Sequence, residues 1–309
     1  MHPQNAQAPN PYREARHSRR ASTVLLCGAS GFIGRRLEQA LRVKGYQVRA
    51  TSRSAPLSMD FTKMKTPADW LPPLQGVEVV INAVGALRGT TSQPLQILHT
   101  TAPIALFDAC AQSGIRRVVQ LSALGVDGNS TDYATTKRAA DAHLQALQAS
   151  GLVDALVVRP SIVWGSGGAS TELFSALSQF PILALPQPMQ QALVQPLAVA
   201  DLADATVAML HSGETGLVEL GGPEALTMQA LIACLRQQRG QRNAWVYPLP
   251  ALFTRGLARL GDWVPVSPWC SASLELASHD NCCDASTLRH WLDRPPLTPA
   301  QFLSALQSR

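Results

Sequence analysis

The feature that most constrains the fold is the stretch Thr23-Val24-Leu25-Leu26-Cys27-Gly28-Ala29-Ser30-Gly31-Phe32-Ile33-Gly34-Arg35. Residues 23–27, apolar apart from Thr23, read as a strand. Three glycines at G-x-x-G-x-x-G spacing follow, and then Phe32, Ile33, Leu37, Ala40 and Leu41 recur near the helical period. A strand passing through a glycine turn straight into a helix is the context in which such glycines act as a dinucleotide cradle. Gly28 permits the turn, Gly31 lets the backbone approach a pyrophosphate, and Gly34 lets the helix lie close to the sheet. The helix N-terminus adds unpaired N–H groups and partial positive charge. Gly28, Ser30, Gly31, Phe32, Ile33 and Gly34 are therefore the candidate phosphate-binding residues.

The alternation of β-rich and helical stretches continues to residue 160. Strands are expected at Tyr46–Ser52, Gly76–Asn82, Arg116–Ser122 and Val153–Val158, and helices at Leu95–Ser113 and Tyr133–Ser150, each stopped by a glycine. This order implies an α/β chain with a parallel, doubly wound sheet. Beyond Pro160 the pattern loosens. Glycines at 165–168 and a proline-rich run over 181–196 suggest irregular structure above a cleft. Asp201–His211 and Thr227–Gly240 read as helices with a short strand, Leu217–Leu220, between them. Further helical segments are expected near 270–278, 284–292 and 299–307. The expected division is a disordered tail over 1–21, a nucleotide-binding domain over 22–160, and a smaller C-terminal α/β lobe over 161–309. Segments such as 194–220 would pack back on the sheet.

Composition narrows the function classes. Of 309 residues 46% are hydrophobic and 15% charged, a core-rich balance unlike that of a disordered chain. Much of the net charge of +5 sits in the first 21 residues, where four arginines face one glutamate. The remainder is near neutral, so nucleic-acid binding is not indicated. The Arg-rich tail also admits a mitochondrial targeting reading, but it lacks an amphipathic face. With no secretory h-region and no transmembrane run, a cytoplasmic location is expected, the mitochondrial matrix being the alternative. The six cysteines include no C-x-x-C pair, so a reducing compartment and no metal are expected.

Three residues carry candidate catalytic chemistry. Tyr133 and Lys137 stand at i and i+4 on one helix face, where the ammonium would lower the phenol pKa toward a working acid/base range. Ser122 ends a parallel strand, the edge at which such sheets place ligands, and could hold a substrate carbonyl. The second strand continues as Arg49-Ala50-Thr51-Ser52-Arg53-Ser54 with no acid to accept a ribose 2′-hydroxyl. A 2′-phosphate would instead meet Arg53, so NADP(H) is preferred, with NAD(H) the alternative.

With these residues in place, the chain resembles the extended and atypical short-chain dehydrogenases/reductases, which include NAD-dependent epimerases and dehydratases. It looks similar to the group that holds the NADPH-binding accessory subunit of respiratory complex I and its bacterial relatives. The stretches behind the resemblance are VINAVGALR (80–88), RRVVQLSALGVD (116–127), YATTKRAAD (133–141), VVRPSIVWG (157–165), VQPLAVADLADA (194–205) and LELASHDN (274–281). The resemblance implies a Rossmann-type sheet and a Ser122/Tyr133/Lys137 catalytic set, with Lys137 also holding the nicotinamide ribose. It places Asn82, Ala83, Val84 and Gly85 beneath the adenosine ribose, Asp60 and Phe61 beside the adenine, and Pro160 and Ser161 past the nicotinamide. His99 stands where extended members usually carry an asparagine, and a hydrogen-bonded structural role is expected for it. Trp164, Trp245, Trp263 and Trp269 are expected to pack. The functional expectation is an NADP(H)-binding oxidoreductase or epimerase-like enzyme for a small carbonyl or alcohol substrate. Its competitors are a non-catalytic NADPH-binding structural or assembly subunit, acting in a protein complex or homo-oligomer, and a redox sensor.

Overall fold

The computed structural model describes residues 22–53, 57–262 and 271–307. Expectations for the tail and for Trp263, Trp269 and Cys270 lie outside them. The apolar run after the tail forms β1 (Thr23–Cys27), buried over its last four residues because neighbours cover both faces. It pairs in parallel with β2 (Gln47–Ser52) on one side and with β4 (Val79–Asn82) on the other. A two-residue strand β3 (Leu57–Ser58) extends the β2 edge. β5 (Arg117–Leu121) and β6 (Asp154–Pro160) continue the β4 side, and Gly216–Leu220 adds a seventh parallel strand beyond β6. The order is therefore Gly216–Leu220, β6, β5, β4, β1, β2, β3, with the chain winding outward from β1 in both directions. That is the Rossmann-like doubly wound sheet.

Helices α1 (Phe32–Val43), α2 (Pro67–Leu74), α3 (Ala102–Gln112) and α4 (Asp132–Ala149) connect the strands. One core lies between the sheet and α2, α3 and α4, around Leu25, Val80, Leu106, Phe107 and Leu144. The other lies between the sheet and α1 with helix Val199–Ser212, around Leu26, Leu37, Ile81 and Leu202. Residues 199–220 thus complete the large sheet and cover one of its faces. A third cluster, built on Trp164, Phe174, Leu185, Met228 and Phe302, forms the core of the remaining C-terminal part. Trp164 packs as expected, stacked on Phe302 with centroids 5.0 Å apart. Trp245 does not: it is 72% exposed on a strand, Trp245–Leu249, paired with Ile182–Pro186.

The helix expected from Leu95 to Ser113 is interrupted. Gln96–Thr101 is a π turn, and α3 starts only at Ala102. Pro103 has no N–H to give to the carbonyl four residues back, and the Ala102 N–H reaches five residues back to Ile97 O. This wide turn carries His99 into the protein beneath the end of β4.

Candidate functional site

The C-terminal ends of β1, β4, β5 and β6 meet at one edge of the sheet. At β1, Gly28 has φ +80°, and the Gly31 N–H closes the turn onto Gly28 O at 2.9 Å. Gly34 packs so tightly that a Cβ there would stand 2.0 Å from Gly28 O. Ser30 and Gly31 are exposed at the loop tip, Phe32 and Ile33 are half-buried behind it, and the first turn of α1 carries no acid. This tight, glycine-lined turn at a helix N-terminus fits a dinucleotide pyrophosphate.

At the end of β4, Asn82 is fully buried. Its amide donates to Gln120 Oε1 at 2.8 Å, and its Oδ1 accepts the Val84 N–H at 3.1 Å. Asn82 thereby shapes the Ala83-Val84-Gly85 turn, and Gly85 leaves room for Lys137, whose Nζ would lie 3.2 Å from a Cβ at that position. Lys137 is 4% exposed and donates to Leu121 O at 2.9 Å. Burial lowers its pKa to about 8, although Asp141 pulls the other way.

Tyr133 sits one turn before Lys137 on α4, whose start is capped by Thr131. The expectation that its phenol pKa falls is corrected. Burial, reinforced by the Asp141 carboxylate, pushes it up to about 12. His99 lies edge-on to the Tyr133 ring with centroids 5.5 Å apart. Its Nε2 accepts the Ala86 N–H at 3.1 Å, so Nδ1 carries the proton toward Thr136 Oγ1 at 3.2 Å. Burial first, and Lys137 second, hold the imidazole neutral, with a pKa near 3.

Ser122 stands just past the end of β5, where its N–H donates to Val158 O at 2.8 Å. Its hydroxyl is buried and donates to Asp141 Oδ2 at 2.6 Å, while the next residue, Ala123, lines the cavity beside Tyr133. Asp141 is also approached by Arg159 Nη2 at 3.1 Å. The spacing of Asp141, one turn beyond Lys137, was the sequence signal for this carboxylate.

Pro160 and Ser161 lie in the wall of the same cavity, about 520 Å³ in volume, together with Ala123, Tyr133 and Asn281. Asn281 ties the wall together. It accepts from Ser161 Oγ, and its Nδ2 donates to Leu124 O at 2.9 Å. Its place in the last resemblance stretch was the only sign of it in the sequence. Beyond β2, Arg53 is exposed. Asp60 caps the turn Phe61–Lys63, accepting from the Thr62 N–H and hydroxyl, which hold its carboxyl below the usual range. Phe61 is buried, its ring edge-on to Trp70 with centroids 5.0 Å apart. Among the described residues no His/Cys/Asp/Glu group suits a metal ion, and no helix is long and apolar enough to cross a membrane.

A family model described as the NAD dependent epimerase/dehydratase family matches residues 24–221. The chain is 28% identical over 207 residues to a ceramide reductase of Caulobacter vibrioides, a match covering 64% of this chain and 63% of that protein. The chain thus spans under two thirds of that relative's length. Among solved structures, a UDP-N-acetylglucosamine 4-epimerase from Bacillus cereus aligns with a TM-score of 0.69 at 18% identity, covering 93% of this chain and 99% of the other. The Thermus thermophilus UDP-glucose 4-epimerase in complex with NAD aligns with a TM-score of 0.66 at 16% identity, covering 92% and 99%.

Proposed function

The chain belongs to the NAD-dependent epimerase/dehydratase family, and from that membership we propose that it is an NADP(H)-dependent oxidoreductase of a carbonyl/alcohol pair in which Tyr133 moves the proton. The observation that carries this reading is that Tyr133 stands in the wall of the cavity one turn from the buried Lys137. The turn Gly28–Gly34 would hold the pyrophosphate, Lys137 the nicotinamide ribose, and Arg53 the 2′-phosphate.

Bound NADPH would supply the hydride for the carbonyl carbon, so that the carbon–oxygen π pair would come to rest on the oxygen beside Tyr133. Tyr133 gives its phenolic proton to that oxygen and is reprotonated from water. A phenol whose pKa lies near 12 is fully protonated at neutral pH and so suits the acid in reduction. Lys137, still mostly cationic at pH 7, offsets the phenolate that remains. Ser122, bonded to Asp141, supports α4 in this reading and leaves the substrate oxygen to Tyr133.

A second reading, nucleotide held as a structural element of an assembly, is favoured by one observation: the Ser122 hydroxyl is directed at Asp141 instead of the cavity. The test is to denature the purified protein, identify any released nucleotide by mass, and follow NADPH absorbance with a panel of carbonyl compounds. Carbonyl-dependent oxidation abolished by Tyr133→Phe supports the enzyme. Tight NADPH binding with no oxidation across the panel supports the second reading.

A further inference from the structure

The cavity beside Tyr133 has the wrong lining for a nucleoside-diphosphate sugar. Ile162, Leu173, Phe174, Met189, Met228 and Leu274 contribute to walls that are mostly aliphatic or aromatic. Among the described lining residues only Arg88 carries a formal charge, and it donates to Gly261 O at 3.0 Å. A diphosphate is held by several charge-assisted bonds or by a helix N-terminus. The helix Ala169–Leu177, whose first turn borders the cavity, carries Glu172 in that turn, which disfavours an anion. The polar groups of the wall are largely engaged with one another, Ser161 with Asn281 and Asn281 with Leu124 O. What remains is an apolar chamber, of a volume that suits a small organic ligand, with the Tyr133 phenol in its wall.

We propose that this cavity takes an uncharged, chiefly apolar ketone or aldehyde, bound with its carbonyl toward Tyr133, and excludes nucleoside-diphosphate sugars. The assignment rests on the reading of Tyr133 as the proton donor. Burial of each added methylene transfers apolar surface out of water, so affinity rises with chain length until the chamber is filled.

Titration calorimetry of the full chain saturated with NADP+ tests this without turnover, using 2-pentanone, 2-heptanone, 2-nonanone, 2-undecanone and UDP-glucose. The expected result is a gain of about fourfold per buried methylene along the ketone series, and no binding of UDP-glucose. Leu173→Glu places a charge in the wall and should weaken 2-undecanone by about tenfold or more while NADP+ affinity stays unchanged. Should that variant melt early, Ala277→Leu, which narrows the chamber with apolar volume, should move the best ligand to a shorter ketone. A flat ketone series, or UDP-glucose bound more tightly than 2-undecanone, would overturn the assignment. NADPH oxidation is followed in parallel with the same compounds. Length-dependent binding without oxidation keeps the apolar cavity and removes the proton-donor reading. Oxidation with a flat binding series does the reverse.

Discussion

The Ser122 hydroxyl donates to Asp141 Oδ2 at 2.6 Å, fastening the end of β5 to α4 one turn beyond Lys137. Arg159 approaches the same carboxylate, and together they fix the helix that presents Tyr133 and Lys137. Burial raises the Asp141 pKa, and Ser122, Arg159 and Lys137 oppose that rise. Ser122→Ala should cost about 1–3 kcal/mol, the loss of one buried hydrogen bond. Asp141→Ala should cost about 3–5 kcal/mol, because it strips a buried cation of a partner. Urea denaturation reads both. Carbonyl reduction by Ser122→Ala should stay within a few-fold of wild type. A hundredfold loss with stability intact would mean that the hydroxyl reaches substrate.

His99 gives a pH signature. Its pKa is near 3 in the folded chain against an ordinary 6.5. Between these values the unfolded chain binds a proton that the folded chain does not. The stabilisation from neutral His99 is therefore complete above about pH 6.5 and is lost as pH falls toward 3, with a slope of about 1.4 kcal/mol per pH unit. His99→Asn should remove that one-proton component. Denaturation curves of both proteins from about pH 4 to 7 check it: parallel pH slopes would show that His99 titrates normally when folded.

Gly34→Ala should damage fold and cradle together. The added methyl would lie 2.0 Å from Gly28 O and 2.8 Å from Gly28 C, both backbone atoms that cannot rotate away. Overpacking of this kind costs about 1–3 kcal/mol. If the loop opens to absorb it, nucleotide affinity falls by about tenfold for each 1.4 kcal/mol. Melting and nucleotide titration measure the two effects, and a variant that binds NADPH as wild type does would remove Gly34 from the cradle.

The sheet was readable in the sequence because local pattern and long-range packing agree there: residues 23–27 are apolar enough to be covered on both faces, and a glycine turn can follow only a few geometries. Tyr133 and Lys137 were readable because helical spacing alone places them on one face. The direction of Ser122 was not, since it is set by Asp141, a carboxylate nineteen residues away that meets it only in the fold. The phenol pKa is not legible in the sequence for a related reason. Proximity of Lys137 was visible in the spacing, whereas burial and the charge of Asp141 depend on tertiary packing. The helix over 95–113 followed a sound apolar period, and the π turn reflects the missing N–H of Pro103 acting on a helix already nucleated.

Arg53 tests nucleotide choice. It is exposed at the end of β2, and its charge reaches Asp60. Arg53→Ala should lower NADPH affinity by about ten- to a hundredfold, the worth of a charge-assisted bond to the 2′-phosphate, and leave NADH affinity unchanged. Calorimetry with both nucleotides decides it. Equal or tighter binding of NADH by the wild type would reject the preference.

The decisive pair is Tyr133 and Lys137, because their side chains separate catalysis from binding. Tyr133→Phe removes the phenolic oxygen and keeps the ring that meets His99 edge-on. NADPH affinity should then stay within a few-fold, while carbonyl reduction falls by about 10²–10⁴, the usual worth of a positioned acid. Lys137→Ala removes the buried ammonium that donates to Leu121 O and lies beside Gly85, so it should weaken nucleotide binding and rate together. With the phenol pKa near 12, the wild-type rate should not decline from phenol ionisation until strongly alkaline pH. A titration of Lys137 should enter near pH 8, where loss of its proton removes the charge opposing the phenolate. A purely structural site behaves differently: Lys137→Ala still weakens nucleotide binding, but no carbonyl supports NADPH oxidation and Tyr133→Phe changes nothing. An active wild type whose Tyr133→Phe variant keeps full rate would refute the proton-donor mechanism.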